Sequence, residues 1–418
     1  MINICDSGEC TGCESCRSVC MHNAIDMKPN SEGFLYPFVN QTLCVDCGLC
    51  KKRCPVNTPI HKKGTPLNVF SGWSKDETVR MSSSSGGAFT EIARLILSKS
   101  GAVFGVAMDE NIQARHICIR DEEDLSKLQG SKYVQSTIGE TYKEAKEELK
   151  KGTIVLFTGT PCQIAGLKTF LQKDYDNLYT LDLICHGVPS PRVFKDYIKY
   201  IESKIKESVR FIKFRCKKSS WIFFNMGINP HVEKVNSQGQ QYYSYEGNYY
   251  SDPYIRAFLR NNILRINCYH CPYTSIQRIS DFTIADWWGY QGKELIDKDY
   301  DYKGVSLILC NTDKAVEMVK DLGMYLKERT IEEAMKTNLS LRKPFPQPSS
   351  RELFWSEYER KTFEEMIPSW MYPEQIPLST YFRIYYRKHV CVYKTIRLYE
   401  RVMRKLGLNK LIMKIQAK

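Results

Sequence analysis

The stretch that decides the fold is CTGCESCRSVC (10–20), which recurs later in the chain as CVDCGLCKKRC (44–54). Both copies space four cysteines as C-x2-C-x2-C-x3-C. In such a loop the first three cysteines hold iron corners of one cubane, and the fourth ligates the other cluster of a two-cluster protein. The repeat therefore predicts two [4Fe–4S] clusters. The predicted ligands are Cys10, Cys13, Cys16 and Cys54 for the first cluster, and Cys44, Cys47, Cys50 and Cys20 for the second.

The residues around the repeat agree with this interpretation. Pro55 follows the last cysteine as the motif's terminal proline, and Gly48 suits a position where backbone crowds a cluster. Met21 stands where the first copy would have proline, but that position supplies no ligand. Two zinc sites are the alternative, although zinc needs only two CxxC pairs per ion. Cys5 lies outside the pattern and is not predicted to be a ligand.

Bulk composition favours a globular protein of the cell interior. The 418 residues are 43% hydrophobic and 26% charged, which suits two or three domains. No run approaches the roughly 18 apolar residues of a membrane-spanning helix, and the N-terminus lacks the regions of a signal peptide. Seventeen cysteines in a reducing compartment favour cluster ligation over disulfides. We therefore expect a cytoplasmic protein.

The rest of the chain divides at a proline-rich linker. Residues 24–39 predict a β-hairpin, and PVNTPIHKKGTPLN (55–68) predicts the linker. From residue 69 onwards strand-like and helix-like segments alternate, which is typical of an α/β domain with a largely parallel sheet. The chain as a whole is predicted to be α+β. Its predicted domains are a ferredoxin-like domain (1–60), the α/β domain (69–330) and a C-terminal extension with a basic helical tail (331–418).

A third group of cysteines lies in the α/β domain. Cys162 and Cys185 each follow a predicted strand, while Cys268 and Cys271 form a CxxC pair. If those strands are parallel neighbours, both cysteines emerge at one sheet edge, with strands about 4.8 Å apart. That edge is where open α/β sheets bind ligands. The group predicts a further cluster or, for Cys162 and Cys185, buried small hydrophobic residues.

Four motifs together resemble the coenzyme F420 hydrogenase/dehydrogenase beta-subunit family. They are GSKYVQS (130–136), FTGTPCQIAGL (157–167), CHGVPSP (185–191), and CYHCPY (268–273) followed by ISDFTIADWWG (279–289). The resemblance implies a flavin-binding α/β domain that holds FAD and a [4Fe–4S] cluster and passes electrons between that cluster and a hydride-accepting partner. It also implies that Cys162, Cys185, Cys268 and Cys271 ligate that cluster.

The flavin site is predicted from small residues before a helix. SSSSGGAFTEIA (82–93) offers free backbone N–H groups for a phosphate, and a flexible loop with a helix cap is the alternative. With the resemblance, the predicted flavin contacts are Ser84, Ser85, Gly86, Gly87, Lys132, Gly159 and Thr160. His186 is the candidate catalytic residue, as a proton relay, or else a structural histidine. Asp281 and Asp286 either orient substrate or cap a turn.

The segment 379–418 is strongly basic. It has eleven Lys or Arg residues and one acid, Glu400, which accounts for most of the chain's net charge of +13. Apolar and aromatic residues recur there every three or four positions and share a helical face. Such a helix either rests on an anionic surface at the inner membrane face or docks an acidic partner, or else packs on the protein's own core. Nucleic acid is not expected as a partner.

We therefore expect an enzyme, an iron–sulfur flavoprotein oxidoreductase. Electrons would pass between the ferredoxin-type clusters, the third cluster and FAD, and hydride between FAD and a deazaflavin-like or other small acceptor. A redox partner protein or reduced ferredoxin would exchange single electrons with the N-terminal clusters. The alternative is an electron-carrier subunit that serves a partner enzyme and has no substrate of its own. A cluster-stabilised scaffold is the third hypothesis.

Overall fold

The computed structural model describes most of the chain apart from the C-terminal tail. The described ranges are 3–60, 64–217, 221–231, 234–235, 241–288 and 303–372. The centre of the predicted linker and the whole basic tail lie outside them, so the predictions for the tail concern residues that are not described. Among the described residues no helix is both long and apolar enough to cross a bilayer.

The N-terminal domain consists of two short helices and one hairpin. Its elements are α1 (Ser15–Val19), β1 (Ile25–Pro29), β2 (Leu35–Val39) and α2 (Leu49–Lys52). The strands pair antiparallel with Ile25 opposite Val39, which confirms the predicted hairpin. In the turn, the Phe34 N–H donates to the Asn30 side chain at 2.9 Å. Gly33 has φ +85°, a conformation that glycine adopts without steric cost.

Hydrogen bonds dock this domain on the rest of the chain. The buried Glu14 carboxylate accepts the backbone N–H groups of Ile138 at 2.8 Å and Gly139 at 3.3 Å. In α1 the Ser15 hydroxyl lies 3.1 Å from the Thr169 hydroxyl. A buried carboxylate is costly unless donors replace its lost water, so these contacts stabilise the docked arrangement.

The main domain is organised around one eight-stranded sheet. Its strands are β3 (Asn68–Ser74), β4 (Ala102–Met108), β5 (Ala114–Ile119), β6 (Val155–Thr158), β7 (Leu178–Leu183), β13 (Phe282–Asp286), β14 (Ser306–Cys310) and β15 (Met324–Arg329). Their order across the sheet is β15-β3-β14-β13-β7-β6-β4-β5. Strands β4, β6, β7 and β13 are parallel neighbours, so their carboxyl ends share one edge.

The flanks of this sheet are antiparallel, which corrects the prediction of a largely parallel sheet. Strand β5 runs against β4, and β14 runs against both β13 and β3. Strand β15 pairs antiparallel with β3 at the edge. The connection between β4 and β5 is only residues 109–113, which is too short for a parallel crossover. The alternation of strands and helices indicated the parallel centre and gave no sign of these returns.

A smaller, three-stranded sheet is formed by residues that lie between β7 and β13 along the chain. It contains β8 (Phe211–Cys216), β9 (Asn225–Asn229) and β12 (Tyr245–Asn248) in the order β12-β9-β8. Two short strands, β10 (Lys234–Val235) and β11 (Gln241–Tyr242), pair separately. This sheet arises from the aromatic-rich part of the chain, where the pattern did not resolve individual strands before β13.

Helices cover both faces of the main sheet. The helices of this domain are α3 (Glu77–Ser82), α4 (Ala88–Leu97), α5 (Leu125–Leu128), α6 (Thr141–Lys150), α7 (Pro161–Leu171), α8 (Pro191–Ile205), α9 (Pro253–Leu259) and α10 (Asp313–Val319). Of these, α8 and α9 pack with the smaller sheet. In β4, Val103 packs with α4 and α10 whereas Phe104 packs with α6 and α7. Successive strand residues point to opposite faces, so these two apolar clusters lie on the two sides of the sheet. Helix α4 begins after Gly87, whose φ is +100°.

Three further helices close the described structure at its C-terminal end. They are α11 (Ile331–Thr337), α12 (Arg351–Tyr358) and α13 (Phe363–Trp370). Phe354 and Phe363 share an apolar cluster with Tyr197 of α8 and Tyr254 of α9. The Trp355 indole N–H donates to the Asn262 carbonyl at 3.1 Å. The described part of the predicted extension is therefore packed on the main domain.

We predict that Asp252→Ala destabilises the fold strongly. The buried Asp252 carboxylate caps α9 by accepting the Ile255 N–H at 2.9 Å, and it also accepts the hydroxyls of Tyr197 at 2.7 Å and Tyr245 at 3.0 Å. Losing the cap and leaving two buried hydroxyls unpaired costs about 3 kcal/mol of unfolding free energy. Anaerobic urea unfolding followed by circular dichroism measures this change.

The control for this prediction is Asp252→Asn. It keeps an acceptor for the cap, so its loss of unfolding free energy should be clearly smaller. Equal stability of Asp252→Ala and the unmodified chain would contradict the role assigned to this carboxylate.

Candidate iron–sulfur clusters and adjoining cofactor site

The first predicted ligand set surrounds one cavity in the N-terminal domain. Cys10, Cys13 and Cys16 come from the loop that enters α1, and Cys54 comes from the second repeat. All four are buried and line the same cavity. Gly12 allows the tight loop, with φ +69°. The structure thus brings three cysteines of one repeat to the last cysteine of the other, a donor set that fits a cubane.

Cys5, which the spacing left out, lies at this cavity as well. Hydrogen bonding with the Cys5 side chain lowers the pKa of Cys10 to about 6 and the pKa of Cys54 to about 7. The thiolate is the form that binds metal, so these lowered pKa values suit Cys10 and Cys54 as ligands. No pattern in the sequence indicates this role of Cys5, because the contact depends on how the first residues fold over the loop.

The second predicted set lies nearer to solvent. Burial raises the pKa of Cys50, and the nearby charges of Cys44 and Cys47 raise it further. Cys20 packs in one apolar cluster with Cys50, as the exchange of fourth ligands requires. Cys47 is exposed, whereas the members of the first set are buried. The two sets therefore differ in their access to solvent.

The third predicted set gathers at the carboxyl edge of the main sheet. Strands β6 and β7 are parallel neighbours, as predicted, and Cys185 follows β7 by two residues. Cys162 lies in the first turn of α7, after the Thr160 capping box, so it is a helical residue rather than a loop residue. Cys268 lies in a short 3-10 helix, and Cys271 directly follows it.

Thiols of this set raise the pKa values of their neighbours in the set. Burial raises the pKa of Cys162 to about 11 and that of Cys268 to about 12, and Cys271 adds to both. Burial also raises the pKa of Cys185, followed by the charges of the other three thiols. Four partly buried thiols that influence one another fit one cluster, which would bind their deprotonated forms. Within the described ranges no three His, Cys, Asp or Glu side chains converge on a position for one metal ion.

The first and third sets are neighbours across the contact of α1 with α7. A Cβ atom at Gly166 would lie 2.9 Å from the Cys13 Cβ and 3.1 Å from its Sγ. Burial raises the pKa of Tyr273, and the charges of Cys162 and then Cys13 raise it further. The pKa of this one buried side chain is thus raised by cysteines of both sets.

The predicted phosphate loop closes against the main sheet. The Gly86 N–H donates to the Ser306 hydroxyl at 2.9 Å, and the Ser85 hydroxyl donates to the carbonyl just before β14 at 2.7 Å. The Ser84 hydroxyl accepts the Ser131 N–H at 2.8 Å. The structure therefore brings the SSSSGG and GSKYVQS loops together, and it satisfies several of their polar groups within the chain.

The other predicted flavin contacts also have partners in the chain. The Lys132 ammonium donates to three carbonyls (residues 127–129) at 2.8–3.3 Å and so closes α5, and burial lowers its pKa to about 7. The Thr160 hydroxyl lies 3.1 Å from the Cys162 Sγ, beside the third set. Gly159 adjoins it at the end of β6.

His186 is held between aromatic rings. Its ring centroid lies 4.7 Å from that of Phe258 and 4.0 Å from that of Phe345. Its Nε2 is 2.6 Å from the Asn261 Oδ1. Burial lowers the pKa of His186, which favours the neutral ring. These contacts account for a structural histidine, and a role as a proton relay stays a prediction.

The two aspartates of ISDFTIADWWG lie at opposite ends of β13. The Asp281 carboxylate accepts the N–H and hydroxyl of Thr180 at 2.8 and 2.7 Å, which is a structural role at the amino edge. Asp286 ends the strand at the carboxyl edge and forms an ion pair with the buried Arg215. Of the two, Asp286 therefore lies at the edge where cofactors bind.

A buried basic group beside Asp286 was not predicted from the sequence. Arg80, Arg215 and Lys217 are only 3%, 5% and 7% exposed. The Lys217 ammonium donates to the carbonyls of Arg80 and Ser85, next to the predicted phosphate loop. Burial, followed by the charge of Arg215, lowers the pKa of Lys217 to about 6. The only sign of this group in the sequence was the run of basic residues in β8, but the side chains of such runs are usually exposed to solvent.

Three polar atoms in this region lack partners. They are the Arg215 Nε, Asp286 Oδ1 and Trp287 Nε1 atoms, which are buried without a hydrogen bond to any described residue. Buried polar atoms are nearly always bonded, and excess buried positive charge is costly without an anion. An anionic ligand would supply acceptors for the Arg215 Nε and Trp287 Nε1 atoms, whereas the Asp286 Oδ1 atom lacks a donor.

Comparison with known protein families accounts for most of the chain. The sequence model for the C terminus of the coenzyme F420 hydrogenase/dehydrogenase beta subunit matches residues 152–334, and the model for its N terminus matches residues 69–142. A 4Fe-4S dicluster domain matches residues 9–58.

Two known proteins are similar to parts of the chain. A coenzyme F420-dependent sulfite reductase of Methanocaldococcus jannaschii is 27% identical over 191 residues, which are 44% of this chain and 29% of that protein. The chain thus matches less than a third of that relative's length. A chain of the F420-reducing [NiFe] hydrogenase complex from Methanosarcina barkeri aligns at TM-score 0.44 and 16% identity, covering 72% of this chain and 94% of that one.

We predict that Gly166→Ala disturbs the first cluster. Alanine normally stabilises a helix interior relative to glycine, but here the new methyl group would collide with Cys13 and with the Tyr142 hydroxyl at 2.8 Å. Overpacking should cost about 1–3 kcal/mol and lower the iron content. Iron analysis and electron paramagnetic resonance (EPR) of the reduced protein measure the loss.

The matched control is Gly64→Ala, where an added Cβ meets no atom of the described residues within 4 Å. It should keep the iron content and EPR spectrum of the unmodified chain. Full cluster content in Gly166→Ala would show that the contact with Cys13 is not needed.

Proposed function

Because the chain belongs to the coenzyme F420 hydrogenase/dehydrogenase beta-subunit family, we propose that it is an iron–sulfur flavoprotein oxidoreductase. Membership confirms the resemblance inferred from the motifs. The dicluster match at the N-terminus makes the chain an iron–sulfur protein of electron transfer. The proposal adds a third cluster, FAD, and exchange of hydride with a small acceptor.

The observation that carries this proposal is the spatial sequence of the three cysteine sets. The second set is nearest to solvent, with Cys47 exposed. The buried first set meets the third set at Gly166 of α7, the helix that holds Cys162. The third set lies on the same sheet edge as Asp286 and the buried basic group. This order supports a path from the surface of the chain to a polar site through three sets of cysteines.

The basic group supports FAD as the ligand of that site. A pyrophosphate is an anion that matches Lys217, Arg80 and the unpartnered Nε of Arg215. When bound, a flavin converts between the single electrons of clusters and the two-electron hydride. The buried position of these side chains would hold the anion away from water.

The acceptor class is proposed from the relative's name. A coenzyme F420-dependent enzyme uses a deazaflavin, so a deazaflavin is the first hydride acceptor or donor to test. In this chain Asp286 Oδ1 and Trp287 Nε1 are the remaining buried polar atoms beside the basic group without a partner among the described residues, and we propose them as contacts of such a ring.

The second set is where a one-electron carrier protein would dock. Met21, Leu43 and Val45 are 85%, 48% and 59% exposed, and each adjoins a predicted ligand of that set, Cys20 or Cys44. Exposed apolar side chains rimmed by polar ones mark sites of protein contact. This surface suits the redox partner protein expected from the sequence.

A second candidate function is an electron-carrier subunit without its own substrate. Ser306 already accepts a backbone N–H of the phosphate loop, and the Lys132 ammonium already donates to three carbonyls. Those contacts favour a chain that holds clusters and no flavin. Direct analysis of the cofactors separates the two functions.

We predict about twelve irons and one FAD per chain after anaerobic purification. Cys162→Ala should lower the iron content to about eight and leave the spectra of the N-terminal clusters intact, because Cys162 belongs to the third set alone. Iron, sulfide and flavin analysis with EPR gives these numbers. About eight irons without flavin in the unmodified chain would contradict the proposal and favour the electron-carrier subunit.

We predict that Lys217→Met weakens FAD binding at least tenfold, or about 1.4 kcal/mol, and keeps the clusters. Since burial lowers the pKa of Lys217 to about 6 in the ligand-free chain, binding an anion takes up a proton there. The affinity for FAD should therefore fall as the pH rises above 6 in the unmodified chain and change little in Lys217→Met. Flavin fluorescence titrations between pH 6 and 8 measure both effects.

Lys132→Met is the matched control for this variant. It removes the lysine that the motif singled out, whose amine is already occupied by the end of α5. It should keep the affinity for FAD and its pH dependence. A larger loss in Lys132→Met than in Lys217→Met would place the anion at GSKYVQS instead.

A further inference from the structure

Arg265 is a fully buried cation at the junction of the first and third cysteine sets. Its side chain is 1% exposed. The Nε donates to the Cys10 carbonyl at 2.7 Å, and the guanidinium carbon lies 4.1 Å from the Tyr36 ring centroid. A Cβ at Gly12 would lie 3.0 Å from the Nη1. Arg265 therefore packs directly on the loop that holds the first set.

The backbone of the same residue belongs to the loops of the third set. The Arg265 N–H donates to the Val188 carbonyl at 2.9 Å, and the Arg265 carbonyl accepts the Cys268 N–H at 2.9 Å. Its positive charge acts on Cys10, Cys162 and Cys268, in each case favouring the thiolate. One guanidinium thus acts on both sets.

This cation forms no ion pair with a carboxylate among the described residues, and the side chain that it hydrogen-bonds with is the Cys10 thiol. Its Nη2 is buried without a hydrogen bond, and its Nη1 has only a long contact of 3.4 Å with the Gln135 Oε1. The equally buried Arg278 differs, because it pairs with Asp182 at 2.8 Å. A buried cation without compensation is strongly unfavourable. The thiolates of the two cysteine sets are the anions within its reach.

We propose that Arg265 is a positioning residue shared by the first and third clusters, which raises the reduction potential of both and fixes their relative position. This inference rests on the three-cluster arrangement of the proposed function. With clusters bound at both sets, the guanidinium would stabilise the added negative charge of their reduced forms. Transfer between them would move one electron from the reduced to the oxidised cluster, with no bond formed and no proton displaced.

The test is an EPR-monitored redox titration of the full chain, loaded with its clusters. Arg265→Gln removes the charge and should disfavour reduction of the first and third clusters about tenfold each, a shift of 59 mV for one electron. The second cluster, which Arg265 does not contact, should keep its potential; its signal is identified by its loss in Cys47→Ala. Arg265→Lys keeps the charge and should stay close to the unmodified protein.

The matched control is Arg17→Gln. Arg17 adjoins Cys16, but it pairs with Glu140 at 2.7 Å and is 32% exposed, so solvent and a carboxylate already screen its charge. Its removal should leave all three potentials unchanged. If Arg265→Gln does not hold its clusters, Arg265→Lys decides, and loss of clusters there too would overturn charge compensation in favour of packing.

Two other outcomes would overturn the inference. Unchanged potentials in Arg265→Gln would show that the guanidinium has no electrostatic effect on the clusters. Equal shifts of all three clusters would show a general rather than a local effect. Failure of the proposed function is distinguishable, because an unmodified chain with only two clusters would lack the third reduction step before any variant is compared.

Discussion

The approach of α1 to α7 at Gly166 is the contact on which the arrangement of the cysteine sets depends. A residue without a side chain at this point lets Cys13 pack against the helix that holds Cys162. The hydrogen bonds of Glu14 and Ser15 secure the same interface from α1. A larger residue at position 166 would collide with Cys13 and disturb the contact between the two sets.

Local spacing made much of this organisation predictable. The repeat of C-x2-C-x2-C-x3-C indicated which cysteines meet, because the geometry of a cubane leaves few ways to hold it. The strand signals around β6 and β7 also sufficed to place Cys162 and Cys185 at one edge. Hydrophobic runs bounded by turn residues determine such strands locally, and their parallel pairing follows from the helix between them.

Contacts between distant segments could not be predicted from the sequence. Arg265 and Lys217 are ordinary basic residues in the sequence, and only the fold buries them beside Cys10 and Ser85. The antiparallel flanks of the sheet were missed for a similar reason, since the pairing of β15 with β3 joins strands more than two hundred residues apart. Propensity and periodicity describe neighbours along the chain, whereas these features depend on tertiary packing.

Arg351 of α12 has a consequence for the order in which the molecule assembles. Its guanidinium donates to the Glu32 carboxylate, 319 residues earlier in the chain, and to the Leu264 carbonyl at 3.0 Å. Synthesis proceeds from the N-terminus, so the hairpin with Glu32 leaves the ribosome long before α12 exists. Until α12 has been synthesised, part of the docking surface of the small N-terminal domain therefore lacks its partner.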